Sequence, residues 1–95
     1  MEKKDFQAAI GKTFTVTLGR KSVPLTLESV EPLEQIQGFE DAKKEPFALI
    51  FSGPNDRPLP DATYAMTVDG HPEEHICISA HNRDHKCIFY DAPFC

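Results

Sequence analysis

Thr13-Phe14-Thr15-Val16-Thr17-Leu18-Gly19-Arg20-Lys21-Ser22-Val23-Pro24-Leu25-Thr26-Leu27 decides the fold. Phe, Val and Leu alternate with Thr before the Gly19-Arg20-Lys21-Ser22 turn, and Val23, Leu25 and Leu27 resume the alternation after it. Successive side chains of a strand point to opposite faces, so a period of two marks a half-buried strand, where a helix would repeat its apolar residues at three and four. A four-residue loop pairs Leu18 with Val23, Val16 with Leu25 and Phe14 with Leu27, which collects all six apolar side chains on one face of a hairpin. Val30 breaks the alternation, which predicts a bulge or bend between Glu28 and Glu31 before Pro32 ends the strand.

The pattern extends outward on both sides. Upstream, Phe6, Ala9 and Ile10 recur at helical spacing, with Asp5 as N-cap and Gly11 as the stop, which predicts a short helix over 4–10. Downstream, residues 31–46 hold Pro32, Gly38, Pro46 and five acidic residues and read as a loop, in which Leu33, Ile36 and Phe39 keep the spacing of one helical turn. Phe47 to Ser52 is apolar on both faces, as in a covered strand. A Pro-rich loop over 52–61 follows, with Gly53-Pro54 as a turn and Leu59 as a plug into the core.

Tyr64, Met66 and Val68 alternate again until Asp69-Gly70 turns the chain, and two last strands run near 74–80 and 86–94. A connection over Asn82 to Asp84 sets Ile78 opposite Ile88 and Ile76 opposite Tyr90, with Ala80, Ala92 and Phe94 on the same face. The chain is therefore expected to be mainly β: one domain over 1–95, a small antiparallel six-stranded barrel or sandwich with a short N-terminal helix. Its strands lie near 13–18, 23–30, 47–52, 62–68, 74–80 and 86–94, in meander order.

Composition narrows function. Ninety-five residues leave room for one core. Ten Lys and Arg against fifteen Asp and Glu give a net charge of −5, which argues against nucleic acid as a partner. The longest apolar run, Ala48 to Phe51, falls far short of the roughly 20 residues a membrane helix needs. Asp5 and Gln7 interrupt any apolar signal core in the first residues, so the expected compartment is the cytoplasm, where cysteines stay reduced.

Three phrases carry a resemblance: Phe47-Ala48-Leu49-Ile50-Phe51-Ser52-Gly53-Pro54, Leu59-Pro60-Asp61-Ala62-Thr63-Tyr64, and Tyr90-Asp91-Ala92-Pro93-Phe94. In this order, and with Asp5-Phe6 and Gly11-Lys12-Thr13-Phe14 ahead of them, the chain resembles a family of small bacterial proteins catalogued only as a domain of unknown function. Its members run F-x-L-x-F-x-G-P, L-P-x-x-T-Y, F-L-V-P-V and a terminal Y-E-A-x-F-N. Ile76-Cys77-Ile78-Ser79-Ala80 stands in place of F-L-V-P-V, and Cys95 in place of Asn. The resemblance implies a small β-rich fold and an association with phage-tail-collar-like or tail-fibre-like proteins, and it carries no catalytic residue. The physical roles of the motifs agree with that, since Tyr64 and Tyr90 read as core aromatics whose hydroxyls reach backbone partners.

One feature resists absorption into a scaffold. His71-Pro72-Glu73-Glu74-His75-Ile76-Cys77 is echoed by His81-Asn82-Arg83-Asp84-His85-Lys86-Cys87, the spacing H-x3-H-x-C twice. In the register above, His75, Cys77, His85 and Cys87 share the face opposite the apolar one, with the two cysteines diagonal at about 7–8 Å. Those four residues form a candidate zinc or copper site, although the spacing lacks the tight knuckle from which structural zinc sites are usually built. The plainer alternative is a solvated hairpin, and a third reading makes the histidines a pH-responsive patch held by Glu73, Glu74 and Asp84. Cys95, beside the terminal carboxylate, is a poor nucleophile. The expected function is a non-enzymatic interaction or assembly module with a protein partner, and self-association through edge strands as a further expectation. The alternative is a metal-binding protein.

Overall fold

Alternation is realised as six antiparallel strands and one helical turn and a half, seen in a computed structural model that describes residues 3–32, 47–83 and 86–94. The elements are α1 (Lys3–Ala8), β1 (Thr13–Leu18), β2 (Lys21–Pro32), β3 (Phe47–Pro54), β4 (Ala62–Thr67), β5 (Glu74–Arg83) and β6 (Cys87–Phe94). The strands close into a barrel in the order β1-β2-β3-β6-β5-β4. This settles barrel against sandwich and corrects the meander. β3 neighbours β2 and β6 instead of β4, so residues 55–61 cross the end of the barrel to reach β4. The barrel's upper end is defined here as the one where β1, β3 and β5 finish.

The first hairpin is tighter than the four-residue loop expected. Val16 pairs with Val23, Phe14 with Leu25, and Leu18 with Lys21, leaving Gly19 and Arg20 as the two-residue turn. Gly19 has φ 59° while Arg20, like every described non-glycine residue, does not have positive φ, the type II′ pattern whose twist matches that of the flanking strands. The register differs from the expected one by two residues, so every side chain keeps its face. The predicted bulge is present: the β2–β3 register shifts between Leu27 and Ser29, leaving Glu28 as the extra residue. Val30 then turns back to pack against the core. The segment holding Leu33, Ile36 and Phe39 lies outside the described residues.

The lower end is closed by aromatic rings. Phe6 on α1 lies 6.3 Å from Phe14, 6.0 Å from Phe47 and 5.4 Å from Phe94 between ring centroids, and Phe47 stacks on Phe94 at 5.1 Å. Phe6 and Ala9 are buried, but Ile10 is 46% exposed, so the helical face ends one residue earlier than its spacing suggests. Gly11 stops the helix at φ 89°. Its N–H donates to the Leu27 carbonyl at 2.7 Å, and the Leu27 N–H donates to the Lys12 carbonyl at 3.2 Å, which straps the helix to β2.

At the upper end Gly53 corrects a second expectation. Gly53 and Pro54 are the last residues of β3, and the turn follows them, with the Arg57 N–H donating to the Pro54 carbonyl at 3.3 Å. Gly53 is needed for close approach: a Cβ there would lie 2.5 Å from Leu25 Cδ2 and 3.2 Å from Tyr90 Cε2. Leu59 plugs the barrel as predicted. Its N–H donates to the buried Tyr90 hydroxyl at 3.0 Å, and the Tyr64 hydroxyl donates to the Pro60 carbonyl at 2.7 Å.

Candidate functional site

All the buried residues described are apolar except Gly53, with Tyr90 supplying the one inward hydroxyl, and no buried charged or other polar residue is found among them. A polar group buried without a partner costs several kcal/mol on the order of one lost hydrogen bond or more. Here the interior avoids that cost, and every described histidine, cysteine and acidic residue sits at the surface or partway into it. Among the described residues the ionisable and nucleophilic groups therefore lie on the outer face or the rim.

The C-terminal hairpin departs most from its expected register. Ser79 pairs with Asp91, Ala80 with Tyr90, Asn82 with Phe89 and Arg83 with Ile88, with His81 bulged between Ala80 and Asn82. The pairing is offset from the Ile78–Ile88 and Ile76–Tyr90 expectation by four residues, and by five beyond the bulge, and this separates the candidate ligands. Cys77 lies beside Thr63 of β4, and Cys87 beside Pro54 of β3. Along the β5–β6 ladder they stand about six residues apart, roughly 20 Å at ~3.3 Å per residue. Two thiolates on one zinc lie within about 5 Å of each other, given Zn–S bonds of ~2.3 Å. His75 is exposed next to Cys77 on the outer face, and His85 lies outside the described residues. The described strands thus bring His75 and Cys77 together but not Cys77 and Cys87. Among the described residues no group of three or more His, Cys, Asp or Glu is placed to hold a metal ion. Both cysteines are free thiols, Cys77 exposed and Cys87 half-buried.

The same register creates a pairing that sequence reasoning missed. His81 Nδ1 lies 3.0 Å from Asp91 Oδ1, and the imidazole leans on Phe89 with ring centroids 6.5 Å apart. His75 Nε2 reaches Glu73 Oε1 at 3.3 Å, one of the acidic partners expected for it. His81, in contrast, finds its carboxylate across the hairpin. Asp91 faces outward in the middle of the Tyr90-Asp91-Ala92 phrase, and only the true register reveals which histidine it meets. Ser79, directly opposite Asp91, puts a hydroxyl on the same face. His81 and Asp91 are 42% and 38% exposed at the side chain, so water competes for both and the pair is electrostatically modest.

The upper end holds a second surface. The β1–β4 ladder that closes the barrel has two residue pairs, Thr15 with Thr67 and Val16 with Met66. Beyond them, Leu18 of β1 has the parity of the buried Phe14 and Val16, yet it is 37% exposed. Ala62 and Tyr64 of β4 share the parity of buried Met66, and Ala80 of β5 that of Ile76 and Ile78. Ala62 and Ala80 are exposed and Tyr64 is half-buried. Leu18, Ala62 and Tyr64 thus reach solvent where β1 parts from β4, and Ala80 lies beyond the start of β4 on its β5 side. The edge strands through which two copies were expected to pair are consumed by closure, apart from this seam.

Fold and surface together define a small closed β-barrel whose described interior is apolar. The chain belongs to a family described as a domain of unknown function, DUF6916, the match running over residues 1–94. Comparison with curated proteins and with solved structures finds no match to this chain.

Proposed function

We propose that this protein is a non-enzymatic interaction or assembly module, acting in the cytoplasm as an accessory to phage-tail-like proteins. The partner is a tail-collar-like or tail-fibre-like protein. The observation that carries the reading is the apolar interior: the described fold places its polar side chains at the surface or the rim, where they can meet another protein. The motifs that run through the chain support it, because Gly53, Leu59, Tyr64 and Tyr90 each have a packing or hydrogen-bonding role in the barrel itself.

The test is reconstitution. The untagged chain, mixed with purified tail-type structural proteins from its own host, is expected to co-elute with one of them at fixed stoichiometry in size-exclusion chromatography with light scattering. A chain that elutes alone against all of them overturns the proposal. So does stoichiometric zinc or copper in the purified protein by elemental analysis, which would restore the metal-binding alternative with a ligand set other than Cys77 and Cys87 on one ion.

A further inference from the structure

We propose that the open seam between β1 and β4 takes an extended acidic segment of another protein by strand addition. The inference rests on the interaction reading above and names the place and the chemistry of the contact. It begins with the brevity of the ladder. β1 and β4 are each six residues long and share two pairs, so Thr17, Leu18 and the first four residues of β4 lie beyond the ladder. An extended peptide laid along residues 62–65 of β4 meets a strand edge that the β1 ladder does not reach, the geometry in which main-chain hydrogen bonds supply affinity and alternate side chains supply selectivity.

The seam also offers an apolar bed. Leu18, Ala62 and Tyr64 all occupy core-facing positions and all reach solvent. One apolar side chain of an incoming strand, pointing inward with the same parity, would cover them. The Tyr64 hydroxyl is already held by the Pro60 carbonyl and Asp61 Oδ1 by the Ala80 N–H at 3.1 Å, so the floor of the seam is fixed before anything binds.

Charge selects the occupant. The upper end gathers Arg20 and Lys21 at the first hairpin and Arg57 in the crossing loop, with Lys86 just ahead of β6. Alongside these four basic residues, the described acidic residues at that end are two, Asp56 and Asp61. On a protein of net charge −5, one end is positive. Such an end attracts an acidic segment and repels a basic one, an effect expressed in association rate and salt dependence. Arg20 and Lys21 are exposed and directly follow the Leu18-Gly19 edge of the seam.

The probe is a fluorescein-labelled ten-residue peptide of alternating Val and Glu, with a Val and Lys counterpart and a single-stranded oligonucleotide of equal charge as controls. Binding to the full chain is read by anisotropy, and its place by backbone amide shifts. The expected result is saturable binding of the acidic peptide, weakened by salt, with shifts concentrated at residues 17–18 and 62–65. The double variant R20E/K21E, at an exposed turn, should keep the thermal midpoint and lose about tenfold or more in affinity. No binding at millimolar peptide, equal binding of the Lys peptide or the oligonucleotide, shifts on another face, or an unchanged affinity in R20E/K21E overturns the proposal. Self-association that accounts for the shifts overturns it as well. The two readings fail separately. A reconstituted complex that R20E/K21E leaves intact removes the seam and keeps the interaction module, whereas absence of any complex removes both.

Discussion

The two ends of the barrel solve the same problem in opposite ways. At the lower end α1 drives Phe6 among Phe14, Phe47 and Phe94, and the mouth is stopped by rings. At the upper end Leu59 stops only part of the mouth, on the side of Tyr90, and the seam beside Leu18 and Tyr64 is left ajar. A small barrel needs side chains to fill its interior, but not all of its rim has to be covered for stability. The lower end therefore reads as the part that holds the fold, and the upper end as the part left available for a partner.

The largest break in that contrast comes from Phe6→Ala, which unplugs the lower end. Loss of a buried Phe that touches three other rings should cost about 3–5 kcal/mol, measured as a lower urea midpoint with unchanged slope. Gly53→Ala comes next. Its methyl would press on Cδ2 of the fully buried Leu25 and on Tyr90, so an overpacking loss of about 1–3 kcal/mol is expected. Tyr90→Phe sharpens the contrast within the upper end by releasing the crossing loop. It leaves the Leu59 N–H without its partner, at a cost of about 1–2 kcal/mol and with faster proteolysis at residues 55–61. By comparison Leu18→Ser, on the open seam, should change stability by less than about 1 kcal/mol.

The smallest effect is a pH dependence confined to alkaline conditions. Burial raises the Tyr64 hydroxyl above its ordinary value, with the charges of Tyr90 and Asp61 adding to the rise. The folded protein therefore holds that proton more tightly than the unfolded chain. The contribution is fully present below about pH 10 and is lost as pH climbs through the folded value. Tyr64→Phe should flatten this part of the stability curve, read from thermal midpoints between pH 8 and 11. An unchanged curve would show that the group does not contribute.

Much of the barrel was legible because parity survives errors of register. Val16 meets Leu25 in the expected hairpin and Val23 in the real one, and both arrangements bury the same face. The turn chemistry decided between them, since Gly19 supplies the positive φ of a two-residue II′ turn. The C-terminal hairpin shows the limit of that tolerance. Its inward set of Ile76, Ile78, Ile88, Tyr90 and Ala92 is buried as expected, while Ala80 lies past the end of β4 and is exposed.

Outer-face neighbours have no such protection. The same displacement parts Cys77 from Cys87 and joins His81 to Asp91. A site built across two strands can be read from sequence only when the register is known to the residue, and a bulge at His81 changes it within the hairpin. The crossing from β3 to β4 was hidden for a different reason. A loop over 55–61 is as compatible with a tight neighbour as with a strand across the barrel, and only the packing of Leu59 beneath Tyr90 discriminates them.

Amide hydrogen exchange on the free protein tests the contrast of ends most directly. The account predicts strong protection for Leu49 to Phe51 and for Tyr90, in ladders paired on both sides, and rapid exchange for Thr17 and for those β4 amides between 62 and 65 that face β1. Protection of the seam amides equal to that of β3 would mean that the barrel is shut along its whole length, and would contradict the account.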